Sequence, residues 1–332
     1  MLAAQISENS EDLSTIQLKT VDIPTASAGY AVVRVHAASI NPIDILVAKG
    51  IAKNAFGWEM PLPFTVGYDF SGVVESVDGA DSDKFPVATP VFAVNWGIHN
   101  HGDTTQAPIG GAFAEFIRIP INKISKVPAG LTHEQAAALA LVGTTAHQIL
   151  FDCAKVTAGS KVLILGGATA VGHLAIQLAK AKGAWVATTS STRNLGYVAQ
   201  FGADLVVNYT EQKWDEMAEL KGVDAVLDCV GEQGAWARTT GGGVVKADGA
   251  FVSISSPDVG FDPAGHAPMH FASMYVLKNS PTLQDELGAM VADGRLKLSI
   301  AQTFPFTQEG VTGIVNAVAS ATSQGKNVLK MI

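Results

Sequence analysis

Apolar residues fall in two rhythms along the chain. Between Val162 and Leu165 they run without a break, as in a strand buried on both faces, and the run stops at Gly166-Gly167. They return at Val171, Leu174, Ala175, Leu178 and Ala179, one face of a helix. Further apolar runs follow at Ala184–Thr189, Leu205–Val207, Val223–Cys229 and Ala250–Ile254, with room for helices between them. Strands alternating with helices at this spacing predict a parallel, doubly wound sheet. The amino-terminal third has the other rhythm. Tyr30–His36 and Phe70–Val77 alternate apolar and polar, and Gly and Pro punctuate often (Asn41-Pro42, Pro61, Pro63, Gly67, Gly72, Pro86, Pro90, Gly110-Gly111). That pattern predicts short β-strands and turns.

Between these regions, Thr132 to Gln135 reads as a capping box opening an Ala-rich helix, with a second helix expected from Thr144 to about Ala154. The entry to the doubly wound region is placed at about residue 123. After Ile254 the chain is irregular through Pro263–Pro268. A short segment Met274–Leu277 follows, then a helix opening at Ser280-Pro281, and a last strand at Asn327–Met331.

Composition narrows the class. Of 332 residues, 48 % are apolar and 16 % charged, which describes an ordered globular chain. The net charge of −8 comes from 22 basic and 30 acidic residues, with no basic stripe, and this argues against nucleic-acid binding. No apolar span of membrane length, about 18 residues, is expected. Neither a secretory signal nor an Arg-rich transit peptide is expected in Met1–Lys19. Two cysteines, Cys153 and Cys229, suggest no disulfide framework. A reducing, cytoplasmic location is the expectation.

The chemistry begins at the glycine turn. A strand, a turn of small residues and a helix start are what a dinucleotide pyrophosphate needs, because the backbone approaches the phosphates and the helix N-terminus offers amides. Here the turn is Gly166, Gly167, Thr169, Ala170, Val171 and Gly172, with threonine where a central glycine is usual. The ends of the other strands add Ser190, Ser191 and Arg193, then Cys229 and Val230, then Ser253, Ile254 and Ser255. The second strand ends without the acid that NAD sites use to bind ribose hydroxyls. Hydroxyls and Arg193 stand there instead, able to bond a 2′-phosphate, so NADPH is the expected cofactor.

Several segments together resemble the medium-chain dehydrogenase/reductase superfamily. They are Val35–Asp44, Pro63–Val74, Gly110–Phe116, Leu141–Ala146 and the glycine turn, with Asn208-Tyr209, Asp228–Gly231 and Gly325-Lys326 extending them. The resemblance implies an α/β chain with a GroES-like β-rich catalytic domain and a Rossmann doubly wound parallel-sheet nucleotide-binding domain. The expected ranges are 1–122 catalytic, 123–278 nucleotide-binding and 279–332 returning to the first. The resemblance also adds Thr144, Tyr209 and Lys326 to the cofactor residues, and a homodimer built by sheet extension through Met274–Leu277. Where family members often carry a lysine, this chain has Asn194.

The family's zinc-dependent branch takes its metal from a Cys-x-x-Asp, a Gly-His-Glu and a further cysteine. This chain has Asn41 and Tyr68 in the first two slots, and Gly143, Thr144 and Thr145 where the third would come. Amide and phenol are poor zinc ligands. The closest match is therefore the zinc-free, quinone oxidoreductase-like branch. His99-x-His101 is the one metal-like spacing left and is read as solvated. Asn41 and Tyr68 are the candidate catalytic residues: Asn41 to position substrate or cofactor, Tyr68 to line the pocket or donate a proton. Asp44 and Asp69 are read as structural acids needing partners, and His147 as packed. Without a Lewis acid, hydride delivery to a quinone or to the C=C of an enone is easier than alcohol oxidation. The expected activity is thus an NADPH-dependent quinone or enone reductase. Two alternatives stand beside it. One is a 2-enoyl thioester reductase, whose relatives carry a tyrosine where this chain has Ala52. The other is an NADPH-binding protein that reduces nothing.

Overall fold

The structure is a computed structural model and describes residues 1–56, 60–78, 83–95, 111–255, 261–262, 264–266 and 269–331. The His99-x-His101 spacing lies outside the described residues. The chain forms two compact units, Met1–Thr144 with Lys278–Ile332, and Thr145–Leu277.

The first unit is β-rich. Strands β1 (Leu2–Ile6), β2 (Gln17–Thr20), β3 (Tyr30–Ser39), β4 (Phe64–Thr65), β5 (Asp69–Val77), β6 (Pro90–Val94), β7 (Phe116–Pro120) and β8 (Ser125–Lys126) come from its amino-terminal part. β3 is the organising strand and pairs antiparallel with both β5 and β7. Valines at 32, 33 and 35 suit this position, because β-branched side chains fill a pleated surface buried on both faces. Its partner carries Gly72 where a Cβ would stand 2.0 Å from the Arg34 carbonyl, so no larger residue fits. After β3 the chain turns at Asn41 into α1 (Pro42–Ala48), with proline in the tolerated first turn, and then α2 (Ile51–Phe56).

α3 (His133–His147) opens on the expected capping box: Gln135 N donates to Thr132 Oγ1 at 3.2 Å, and Thr132 N to Gln135 Oε1 at 3.0 Å. No separate helix begins at Thr144. α3 continues into a π-helical segment, Gln148–Cys153. This continuous run of 21 residues is long and apolar enough to span a membrane by composition alone, contrary to the sequence reading, yet 78 % of its apolar window is buried inside the protein. It is a core helix whose small side chains, Ala136 to Ala138 and Ala140, admit close packing. The first boundary therefore falls after Thr144 and not at 122. Residues 123–144 belong with the β-rich unit because β8 pairs with β6 and Ala137 and Ala138 pack with Ala37 and Val328.

In the second unit the strands are β9 (Lys161–Leu165), β10 (Trp185–Ser190), β11 (Leu205–Asn208), β12 (Val223–Asp228), β13 (Val245–Ser253) and β14 (Phe271–Met274). All pair in parallel, in the order β11-β10-β9-β12-β13-β14. The connections include α4 (Gly172–Ala181), α5 (Leu195–Val198) and α6 (Ala235–Gly241). The unbroken apolar runs read in the sequence are these strands, buried on both faces as parallel strands must be. Leu163, Leu165, Val226, Trp236 and Phe251 sit together in the core. The strand order reverses between β9 and β12.

The chain then returns to the first unit with α7 (Pro281–Ala292), β15 (Ile300–Pro305), α8 (Gln308–Ala319) and β16 (Lys326–Lys330). β16 pairs antiparallel with β3, Val328 opposite Ser39, and completes a seven-stranded sheet. The last strand thereby lies against the end of β3 where α1 begins.

Candidate nucleotide site and a buried polar cluster

In the second unit, parallel register brings the carboxyl ends of the strands to one edge: Leu165 is level with Asp228, Asp228 with Ser253, and Ser190 with Asn208. Ligands bind such sheets at this edge, where the strand order reverses. The glycine turn after β9 is closed by its own bonds. Gly166 N donates to Thr189 Oγ1 at 2.9 Å and Gly167 N to Thr189 O at 2.9 Å. The Thr169 hydroxyl donates to Gly166 O at 2.8 Å and accepts from Gly172 N at 2.9 Å. Thr169 is thus an internal tie across the turn. A Cβ on Gly172 would meet Gly166 O at 2.2 Å, so strand and helix touch only because this residue is glycine.

Backbone accounting shows what remains. Among the described residues, the N–H groups of Ala168, Ala170 and Val171 have no acceptor. They stand at the start of α4, where the helix dipole also favours an anion. The turn fits a dinucleotide pyrophosphate on this observation. At the end of β10, Ser190 is buried, Ser191 half-buried and Arg193 exposed, and Arg193 has no ion pair among the described residues. Tyr209, after β11, is also exposed, and its N–H ties to Ser190 O at 3.1 Å.

The ends of β12 and β13 are less open. Cys229 is buried, its thiol pushed well above the ordinary range by burial and then by Asp228, so it contributes backbone and not reactivity. Val230 stays 54 % exposed. Ser253 donates to Asp228 Oδ2 at 3.2 Å, and Ile254 N to Asp228 O at 3.1 Å. Ser255 lies against Gly231. Asp228, absent from the sequence-derived site, is the hub of these contacts. Its signal was a lone acid before Cys229-Val230-Gly231, which spacing rules do not distinguish from any strand-end aspartate.

Two expected cofactor residues belong to the first unit and have other commitments. Thr144 is buried and spends its hydroxyl on Ala140 O, 2.7 Å away in its own helix. Lys326 is 3 % exposed, and its ammonium donates to Ile40 O at 2.7 Å, Asn41 Oδ1 at 2.6 Å and Asp69 Oδ2 at 3.1 Å. Those three bonds use every proton it has.

Lys326 is the centre of a buried polar cluster. Asp69 Oδ2 also accepts from Asn41 Nδ2 at 2.8 Å and Ser39 Oγ at 2.9 Å. Asn41 N donates to Asp44 Oδ2 at 2.7 Å, capping α1. Asp44 Oδ1 and Asp69 Oδ1 are buried without a hydrogen-bond partner. Burial raises both carboxyls. Asp44 reaches about 7, with the charge of Asp69 adding to burial and its bond to Asn41 opposing. For Asp69, Lys326 is the main opposing influence. Asn41 and Tyr68, the candidate catalytic residues, are 2 % and 3 % exposed. The Asn41 amide bridges Lys326 and Asp69. The Tyr68 phenol is pushed up by burial and then by Asp44, so it holds its proton. These residues do not fit zinc: the first ligand slot is an amide already bonded to an ammonium. Among the described residues no group of three or more His, Cys, Asp or Glu is placed to hold a metal.

A doubly wound parallel sheet with open amides where its strand order reverses is the architecture of dinucleotide-binding domains. Comparison with known proteins agrees. Residues 27–129 match the alcohol dehydrogenase GroES-like domain, and residues 170–295 match the family described as zinc-binding dehydrogenase. The mouse (Mus musculus) mitochondrial NAD(P)H oxidoreductase RTN4IP1 is 30 % identical over 91 % of this chain and 81 % of its own. The 2-methylene-furan-3-one reductase of Solanum lycopersicum is 28 % identical over 94 % of this chain and 74 % of its own. The solved quinone oxidoreductase of Coxiella burnetii superposes with a TM-score of 0.85 at 30 % identity, covering 100 % of this chain and 99 % of its own. The chain belongs to the medium-chain dehydrogenase/reductase superfamily, in its quinone oxidoreductase-like branch.

Proposed function

We propose that this chain is a zinc-independent, NADPH-dependent reductase of quinones or of the C=C bond of α,β-unsaturated carbonyl compounds. The observation that supports the reading is the Lys326–Asn41 bond, which commits the amide standing in the metal branch's first ligand slot to a protein ammonium. The relatives include a quinone oxidoreductase and an enone reductase, which supports the same acceptor class.

Bound reduced nicotinamide supplies hydride. The amides of Ala170 and Val171 hold the pyrophosphate, and Arg193 with Ser190 and Ser191 hold the 2′-phosphate, with no acid at the end of β10 to repel it. The raised Tyr68 phenol is no base near neutral pH, so it cannot take a proton from a simple alcohol. It remains a hydrogen-bond donor, which is what charge developing on a carbonyl oxygen requires. The two free cysteines suit a reducing compartment, cytoplasmic or, as the RTN4IP1 relative's name indicates for that protein, mitochondrial.

The test is an acceptor screen with deuterium-labelled NADPH against quinones, enones, an enoyl thioester and, in reverse, propan-2-ol with NADP⁺. Label at the β-carbon of an enone product, or quinone-dependent NADPH oxidation, is expected. Label on a carbinol carbon, or brisk oxidation of propan-2-ol, overturns the reading. Turnover of the thioester alone moves the assignment to the enoyl thioester reductases. Tight NADPH binding with no turnover favours a regulatory protein.

A further inference from the structure

Asp44, Asp69 and Lys326 are buried together where the start of α1, the start of β5 and β16 meet, and their charges do not balance. Two carboxyls share one ammonium, and a second bare carboxylate in so buried a place is too costly to keep. The hydrogen bonds show which carboxyl is neutral. Asp69 Oδ2 accepts from the Lys326 ammonium at 3.1 Å, Asn41 Nδ2 at 2.8 Å and Ser39 Oγ at 2.9 Å, so Asp69 is the ionised one. Asp44 accepts from Asn41 N at 2.7 Å, and that bond goes to Oδ2. The proton of the neutral acid therefore sits on Asp44 Oδ1, which is buried without a hydrogen-bond partner among the described residues.

A buried O–H that no protein acceptor satisfies is a donor kept for another purpose. This one is exchangeable near neutral pH. Burial raises the Asp44 carboxyl to about 7, the bond from Asn41 and the charge of Lys326 opposing and the charge of Asp69 adding. The group beside it able to pass a proton on is Tyr68. It precedes Asp69 in the chain, is 3 % exposed, and its phenol is pushed up by burial and then by the charge of Asp44. Hydride addition to an enone places negative charge on the carbonyl oxygen, and the reduction is complete only when a proton arrives there.

We propose that Asp44 is the internal proton source of the reduction and delivers its proton through the Tyr68 phenol. This rests on the reductase reading above. As hydride bonds to the β-carbon, the electron pair of the C=C bond moves towards the carbonyl oxygen. The Tyr68 O–H bond breaks and its proton bonds to that oxygen, giving the enol. In turn the Asp44 Oδ1–H bond breaks, and its proton restores the phenol. The enol becomes the ketone in water, and the Asp44 carboxylate takes one proton from solvent. One hydride and one proton are thus consumed for each enone reduced.

The test has two arms. In the first, single-turnover reduction of methyl vinyl ketone by NADPH-loaded wild type, Asp44→Asn and Asp44→Glu is followed as pH is raised. The wild-type rate is expected to fall as pH passes about 7, where Asp44 loses its proton. Asparagine keeps an oxygen for the Asn41 N–H and has no proton to release. Asp44→Asn should therefore be about a hundredfold slower, with no fall near neutral pH and NADPH affinity within about twofold of wild type. Asp44→Glu should restore the fall. The second arm uses the protein without cofactor: infrared spectra of wild type should show a protonated-carboxyl band that is lost as pH passes about 7 and is missing from Asp44→Asn. If Asp44→Asn does not fold, the wild-type band and Asp44→Glu carry the test. A wild-type rate and pH profile in Asp44→Asn, or no carboxyl titrating near neutral pH in the infrared, overturns the inference and leaves the reductase reading standing. Wild type that reduces neither enone nor quinone overturns the reductase reading and this inference with it.

Discussion

The ammonium of Lys326 lies 2.6 Å from Asn41 Oδ1, joining residues 285 positions apart in one buried hydrogen bond. The same ammonium is the counter-charge of Asp69, so it holds the last strand, the start of α1 and the start of β5 together. Removing it leaves Asp69 buried and unpaired. Lys326→Met is therefore expected to destabilise the protein by about 3–5 kcal/mol. NADPH affinity of the folded fraction should stay within about twofold, because the ammonium spends all three protons inside the β-rich unit. Urea unfolding and a calorimetric titration check the two halves. Unchanged stability with lost NADPH binding would return Lys326 to the cofactor site.

The cluster has two carboxylates for one ammonium, and Asp44 is the one left with a pKa near 7. An acid whose folded pKa lies above its unfolded value keeps its proton longer when folded. Its contribution is greatest below the unfolded value, near 4, and is lost as pH rises through about 7. Asp44→Asn mimics the neutral acid and still accepts the Asn41 N–H. Its stability relative to wild type should thus be higher at pH 8 than at pH 5. Urea midpoints of the two proteins at both pH values measure this, and a difference that does not change with pH refutes it.

Legibility followed locality. The runs Val162–Leu165 and Ala225–Leu227 announced buried strands because every position is apolar, and their parallel pairing follows from the helices between them. The open amides at Ala170 and Val171 were readable for the same reason, since strand, turn and helix are consecutive. The Thr132–Gln135 box was readable too, but the end of its helix was not. Nothing in Thr144–Ala154 signals that α3 runs on through a π-helical segment. The burial of Lys326 was not legible, because a lysine before a short strand carries no mark of it. Its partners, Asn41 and Asp69, are supplied by pairing between β16, β3 and β5. Asn41 and Tyr68 were found as a pair by resemblance, while their burial was visible only in the fold.

Arg193 is exposed at the end of β10, without an ion pair among the described residues. Arg193→Ala should weaken NADPH by about 1.5–3 kcal/mol, the value of a charge-assisted hydrogen bond, and leave NADH nearly unaffected. Parallel calorimetric titrations decide it. Equal losses for both nucleotides would mean that Arg193 does not read the 2′-phosphate.

The edge of the six-stranded sheet is β14, Phe271–Met274, and not the Met274–Leu277 segment expected from the sequence, because the chain leaves the sheet after Met274; β14 pairs only with β13 among the described residues. An open edge is a template for another strand. A second copy related by a two-fold axis would pair β14 with its own counterpart and extend the sheet. The expected species is a homodimer of twice the 34.5 kDa chain mass. Light scattering at micromolar concentration checks this, and a monomer there refutes it. A proline at Ala272 should shift the dimer towards monomer, because it removes a donor from that edge.

Thr169 takes the place of a glycine in the phosphate turn and replaces open space with a tie. Its hydroxyl satisfies Gly172 N, one of the amides that a helix start leaves unpaired, and donates to Gly166 O. Thr169→Val keeps the volume and loses both bonds. Loss of a comparable N-cap interaction costs about 1–2 kcal/mol, and this is the expected fall in stability. Thr169→Ser keeps the hydroxyl and should lie within about 0.5 kcal/mol of wild type. Urea denaturation of the three proteins, followed by Trp fluorescence, separates hydroxyl from volume. Trp185, Trp214 and Trp236 all lie in the nucleotide unit, so its unfolding contributes directly to the signal. If valine matches wild type, the hydroxyl does not hold the turn closed, and threonine at this position serves packing alone.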